Sequence, residues 1–293
     1  MILLTGATGT VGSALLRRLV SEREPVRCLV RDPRGLGEQR VRVQIALGDL
    51  SNPASFRNAL RGVDTVVHLA ASIRDQPLAS IEELNAVATL RLVQAAERAG
   101  ARRFVFFSAL GAGHHSRTRF FRAKALASEA VEGSQLAVDV FEPSIVYTPG
   151  DPWLTLLERL SWSPFMPVSG RAQARFQPIW AEAVADCVLA ALRADAPNGT
   201  RRVVLAGPEV LSHEQIVRTV LRARGRRRRL VHVPLPAVRA SLRLIEKLAG
   251  PSTFATWEEA ELMEEAMVTS RGTADAEALG VRPLPMRAVL GGP

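Results

Sequence analysis

With 293 residues, 47% of them hydrophobic, the chain is long enough for one large α/β domain with an added lobe and too apolar to be disordered. Lysine and arginine total 38 against 29 acidic residues, a formal charge of +9, and Lys124 and Lys247 are the only lysines, so the excess is arginine. No stretch approaches the ~18 uninterrupted apolar residues of a membrane-spanning helix, and Met1 runs straight into Ile2-Leu3-Leu4-Thr5-Gly6, where a secretory leader would otherwise lie. Cys28 and Cys187 sit far apart in apolar segments without the close spacing of a zinc site or redox pair. They read as free, buried thiols in a reducing cytoplasm, with no metal site.

In chain order, short β-branched runs at 2–5, 26–31, 43–47, 64–70, 103–108 and 137–142 alternate with helical patterns at 11–20, 53–60, 81–99 and 118–132. Such alternation predicts βαβ units and a doubly wound parallel Rossmann sheet, with ligands at the carboxyl ends of its strands. Between the first strand and helix lies Gly6-Ala7-Thr8-Gly9-Thr10-Val11-Gly12. Three glycines alone are a weak signal, but between a strand and a helix they form a dinucleotide fingerprint. Glycine permits the tight turn and the close approach of pyrophosphate to the helix N-terminal amides.

The second strand ends Cys28-Leu29-Val30-Arg31-Asp32. An acid at that tip would accept from an adenosine 2′-hydroxyl, whereas an arginine pairs with a 2′-phosphate. Arg31 occupies the tip, which favours NADP(H) and leaves NAD(H) possible; alternatively Arg31 stacks on the adenine or pairs with Asp32.

After Pro143 the chain is broken by Thr148-Pro-Gly-Asp-Pro152 and by Pro164, Pro167 and Pro178. Residues 1–150 are therefore read as the dinucleotide-binding domain. Residues 151–293 form a smaller mixed α/β lobe for substrate or partner that shares the core, with some segments returning to the first domain. Helices are expected at 181–193, 212–224, 236–248 and 257–267, and strands at 202–206 and 230–233. The basic run from Arg222 to Arg229 joins a helix to a strand. It reads either as a solvated helix end or as a patch for a protein or an anionic membrane surface; its lack of an aromatic argues against nucleic acid.

Further motifs follow the later strands: Gly48-Asp49-Leu50, His68-Leu69-Ala70-Ala71, Phe106 to Ala112, Phe121-Arg-Ala-Lys124 and Pro143 to Asp151. Together with the glycine turn, and with Gln177-Pro-Ile-Trp180 and Ala206-Gly-Pro-Glu209 farther on, they cover nearly the whole chain. They resemble the extended and atypical short-chain dehydrogenases/reductases, above all the NmrA-like members and the nucleotide-binding accessory subunit of respiratory complex I. The resemblance implies cofactor contacts from Gly6, Thr8, Gly9, Thr10, Val11, Gly12 and Arg31. It implies further contacts from Asp49 and Leu50 at the adenine, from His68, Leu69, Ala70 and Ala71, and from Ser108, Lys124, Pro143 and Ile145. Asn85 would anchor the helix beside the site. Plain alternatives stand beside these: Asp49 as the cap of the turn before Pro53, Asn85 as a helix-surface residue, His68 as a satisfied structural histidine.

In active members of that superfamily a tyrosine stands four residues before the lysine, on the same helix face, where the lysine lowers its pKa and a serine orients the carbonyl. Here Ser108 and Lys124 are in place, and the tyrosine position is Phe120. Phenylalanine has no proton to give. One substitute is conceivable, His114 or His115 acting through water from the intervening loop; the single tyrosine, Tyr147, lies past the sixth strand and reads as simply packing there. Two functions follow. One is an NAD(P)(H)-binding accessory or redox-sensing module, cytoplasmic and able to sit peripherally at a membrane. The other is an NADPH-dependent oxidoreductase, epimerase or dehydratase acting on a quinone, carbonyl or nucleotide sugar.

Overall fold

In the computed structural model, which describes residues 1–77, 79–249 and 255–291, the chain begins with β1 (Ile2–Thr5) and α1 (Thr10–Ser21). There follow β2 (Val26–Val30), β3 (Gln44–Leu47), α2 (Pro53–Phe56), β4 (Thr65–His68) and α3 (Ala88–Arg98). Next come β5 (Arg103–Phe107), α4 (Arg119–Glu132), β6 (Ala137–Pro143), β7 (Val146–Tyr147) and α5 (Pro152–Leu160). Beyond them lie β8 (Phe165–Ser169), β9 (Arg175–Phe176), β10 (Ile179–Trp180), α6 (Ala181–Arg193) and β11 (Thr200–Leu205). The chain continues through β12 (Leu211–Ser212), α7 (His213–Ala223), β13 (Arg229–Val233), α8 (Leu235–Ala249) and α9 (Trp257–Leu262), then two short helices, α10 (Ala274–Ala278) and α11 (Met286–Leu290). Leu78, residues 250–254 and residues 292–293, the last two groups in the predicted second lobe, lie outside the described residues.

Seven strands form one sheet in the order β11-β6-β5-β4-β1-β2-β3, every pair parallel. Every residue of β4 and β5 is buried, as expected of strands covered on both faces. On one face α1 packs against α6, where Arg18 pairs with Glu182 and Asp186. On the other, Leu92 and Val93 of α3 and Ala127 and Val131 of α4 pack over Leu3, Val66 and Phe104. Strand order reverses between β1 and β4, so a crevice opens at their carboxyl ends, beyond the paired residues Thr5 and His68.

Several expected elements differ in detail. The run 202–206 is β11, the outer strand of the main sheet, paired from Thr200 opposite Val138 to Leu205 opposite Pro143; only long-range pairing assigns it there. The run 53–60 splits into α2 and a tighter turn over Arg57–Leu60. The run 81–99 carries a widened turn over Glu83–Val87. Its cause is Asn85, whose Nδ2 donates to the Ile81 carbonyl at 2.8 Å, the acceptor that its own backbone N–H would use in a regular helix. The helix expected over 257–267 stops at Leu262 because Met267 is drawn to β9, where its N–H donates to Arg175 O at 2.8 Å.

In the second half, β8 pairs with β13, β7 with β10 and β9 with β12. Met166, Val168, Phe176 and the apolar side of α7 make a core that runs on through Tyr147 to Phe121 of α4.

Candidate dinucleotide site

The glycines of the first turn do different work. Gly6 has φ +72°, and a Cβ there would lie 2.6 Å from the Ala70 amide nitrogen. On Gly12 a Cβ would fall 2.0 Å from the Gly6 carbonyl oxygen. Both are required by the protein's own backbone. Gly9 is exposed, and a Cβ there would meet only the Gly6 oxygen at 3.3 Å, so its side faces open space. The backbone ladder of α1 starts with Ser13 N–H donating to Gly9 O at 2.9 Å, leaving the amides of Thr10, Val11 and Gly12 ahead of it. No side chain caps this end and no acid lies in its first turn, so positive potential is left for an anion. Thr8, also exposed, is overhung by Gly35, where an added Cβ would lie 2.9 Å from the Thr8 methyl.

At the tip of β2, Arg31 is exposed and does not pair with Asp32. Asp32 is taken by Arg34, whose guanidinium reaches its carboxylate at 2.7 and 2.9 Å while the Arg34 amide donates at 2.9 Å. Arg34 holds that carboxyl below its ordinary range. The tip therefore presents two guanidinium groups, the second unforeseen in the sequence. Asp49 closes the turn before Pro53: its Oδ1 accepts from the Ser51 amide and hydroxyl, each at 2.8 Å, and Asn52 caps α2. Leu50 packs half-buried against the core beside α3.

His68 is enclosed, with Nδ1 2.7 Å from Thr5 Oγ1, Nε2 3.0 Å from Thr89 Oγ1 and its ring stacked on Phe106. Burial, aided by the charge of Lys124, pushes its pKa down to about 3. Neutral, and held at both ring nitrogens, it ties β1, β4 and α3 together. Leu69 and Ala70 are half-buried and Ala71 exposed at the strand end. Asn85 is buried, not a surface residue: it accepts from the Ser72 amide at 3.2 Å and donates to the Ser72 carbonyl at 2.7 Å, fixing the segment after Ala71.

Lys124, 3% exposed, donates from Nζ to the Phe107 carbonyl at 2.6 Å. Its ammonium lies 5.0 Å from the centre of the Phe106 ring and 5.8 Å from that of Phe120. Enclosure between two phenyl groups pushes its pKa down to about 7. Ser108 is buried and its hydroxyl pairs with Ser128 Oγ at 2.8 Å, while Ser128 also donates to the Lys124 carbonyl at 3.0 Å. Ser128 was not singled out in the sequence, although it stands four residues after Lys124, on the helix face that Phe120 and Lys124 share. Pro143 is buried with its carbonyl accepting from Leu110 N–H at 2.9 Å, and Ile145 is half-buried beside it.

The loop histidines do not converge on this group. His114 lies 3.8 Å from Glu129, half a turn around α4 from Phe120, and His115 is exposed. Tyr147 is fully buried, and its hydroxyl has no hydrogen-bond partner among the described residues; burial and Glu209 raise its pKa. It packs, and holds its proton tightly.

Residues 6–148 match the profile described as NAD(P)H-binding. The match takes in just under half of the chain. The chain is 26% identical over 273 residues to the ceramide reductase of Caulobacter vibrioides, covering 90% of this chain and 84% of that protein. It is also 26% identical over 264 residues to the mitochondrial NADH dehydrogenase (ubiquinone) 1 alpha subcomplex subunit 9 of Arabidopsis thaliana, covering 85% of this chain and 62% of that one. A nucleoside-diphosphate-sugar epimerase from Staphylococcus aureus superposes at TM-score 0.78 and 20% identity over 99% of both chains, a likeness of fold. The NAD(P)H-binding match and the complex I subunit among the relatives agree with the motifs of the first half. Among the described residues no helix is long and apolar enough to cross a membrane.

Proposed function

We propose that the chain holds NADPH, in preference to NADH, as an accessory or redox-sensing module rather than as a tyrosine-dependent dehydrogenase. The pyrophosphate would lie against Thr8, Gly9 and the free amides of α1, the 2′-phosphate against Arg31 and Arg34, and the adenine against Asp49 and Leu50. Lys124 and Ser108 would meet the nicotinamide ribose. When bound, the nucleotide supplies a hydride donor or acceptor. The observation that carries the reading is the residue one turn before Lys124: Phe120 offers a ring 5.8 Å from the ammonium and no exchangeable proton. Without a positioned acid, carbonyl reduction forgoes about 10²- to 10⁴-fold.

A second reading, an NADPH-dependent reductase, is favoured by one observation. Lys124 itself is a buried group titrating at about 7, suited to giving a proton to a nascent alkoxide or hydroquinone. The ceramide reductase likeness supports the same reading. Substrate-dependent NADPH oxidation across carbonyl, quinone and nucleotide-sugar panels separates the two. The module reading expects none above background for the natural chain, and new carbonyl reduction in Phe120→Tyr. Robust turnover by the natural chain that disappears in Lys124→Met, with NADPH still bound, establishes the reductase.

A further inference from the structure

The second half of the chain carries a face that is basic and exposes large apolar side chains. Between Glu158 and Glu182 there are three arginines and no acid, and between Glu214 and Glu246 nine arginines and no acid. β8 and β13 bring these two stretches together, with Phe165 opposite Arg229 and Pro167 opposite Val231. Side chains alternate along a strand, so these four share a face, while Met166 and Val168 on the other side are buried in the core. The outer face is apolar as well as basic: Phe165 is 53% and Val231 41% exposed, and Trp162, just before β8, is 74% exposed.

The arginine run is not simply a solvated helix end. Arg224 pairs with Glu158. Arg226 donates to Ser161 Oγ at 2.5 Å and lies 3.8 Å from the centre of the Trp162 ring; Arg228 donates to the Ser161 carbonyl at 2.9 Å. These contacts close the C-terminal end of α5 and hold Trp162 outward as a fixed wedge. Arg227 and Arg229 are left exposed with no acidic partner among the described residues. An aromatic wedge and aliphatic groups among unpaired guanidinium groups match the boundary of an anionic bilayer, where rings and side-chain stems enter the headgroup layer and charges meet lipid phosphate. A nucleic acid would leave Phe165, Pro167 and Val231 without a partner, and one face of Trp162 is already covered by Arg226.

We propose that this β8/β13 face, with Trp162 and the arginines beside it, docks the protein on the surface of an anionic lipid bilayer. Co-sedimentation with phosphatidylcholine vesicles, with and without phosphatidylglycerol, tests it on the full chain. Binding is expected only with the anionic lipid and is expected to weaken with salt. Each arginine near the surface multiplies partitioning about fivefold, so Arg227→Glu with Arg229→Glu should lower it at least 25-fold, roughly the product of two such factors. Phe165→Ser should cost about tenfold. Quenching of tryptophan emission by brominated lipid should fall in Trp162→Phe. Circular dichroism checks that each variant is folded. The proposal is overturned if the natural chain stays in the supernatant, if these variants bind as well as it does, or if the quenching persists without Trp162. Tighter binding to a duplex oligonucleotide, indifferent to Phe165→Ser, would assign the face to nucleic acid instead and equally overturn it.

Discussion

Lys124→Met should change the pH dependence of stability in a direction and amount that follow from burial. Moving this ammonium from 10.5 in the open chain to about 7 in the fold costs on the order of 4 to 5 kcal/mol while both states are charged. The sign is set by where the protons sit. Below about pH 7 both states are protonated and the cost is fully present. Between about 7 and 10.5 the unfolded chain holds the proton that the folded chain has released, so stability rises by about 1.4 kcal/mol per pH unit. Above that window the cost is gone. Cys28 and Cys187, pushed up to about 12 by burial, oppose this rise once unfolded thiols begin to ionise near 8.5. Both proteins carry those cysteines, so the difference between them isolates the lysine. Urea unfolding at pH about 7, 8 and 9 should show Lys124→Met more stable than the natural chain at neutral pH. The advantage should be the buried-charge cost less about 1 kcal/mol for the orphaned Phe107 carbonyl, and it should shrink as pH rises. Parallel stability curves for the two proteins would refute the claim that Lys124 titrates inside a desolvated site.

The glycine turn yields a paired test. Gly9→Val should leave the circular dichroism spectrum intact and abolish NADPH binding, because its side chain would enter open space in front of the α1 amides. Gly12→Ala should instead destabilise the fold by about 1 to 3 kcal/mol or more, its Cβ meeting the Gly6 carbonyl, as a lowered urea midpoint. Arg31→Asp should reverse or abolish any preference for NADPH over NADH in competition binding, since a 2′-phosphate would face a carboxylate; an unchanged ratio would place the phosphate elsewhere. Lys124→Ala should weaken NADPH by about 1 to 3 kcal/mol, the range for losing a charged donor, and unaltered affinity would remove Lys124 from the site.

Six of the seven sheet strands and the glycine turn were legible because each is a local pattern: a short apolar run, a turn residue, a helical period. The strand of β11 was read too, at 202–206, but not its place, because it reads equally as a strand of the second lobe and its position beside β6 is settled by pairing across more than 60 residues. The widened turn in the third crossover comes from one side chain, Asn85, competing for a backbone acceptor, which periodicity does not register. At the site, residue types and spacing gave Ser108, Phe120 and Lys124. The partners that fix their state, Ser128 on the serine and Arg34 on Asp32, depend on rotamers. His114 looked like a spare proton donor because sequence places it between Ser108 and Lys124; the turn that carries it sets it 3.8 Å from Glu129 instead.

Isothermal titration calorimetry of the purified chain with NADPH and with NADH tests the dinucleotide site most directly. The expected result is one site per chain that binds NADPH more tightly than NADH. Absence of binding heat for both nucleotides, or a clear preference for NADH, would contradict it.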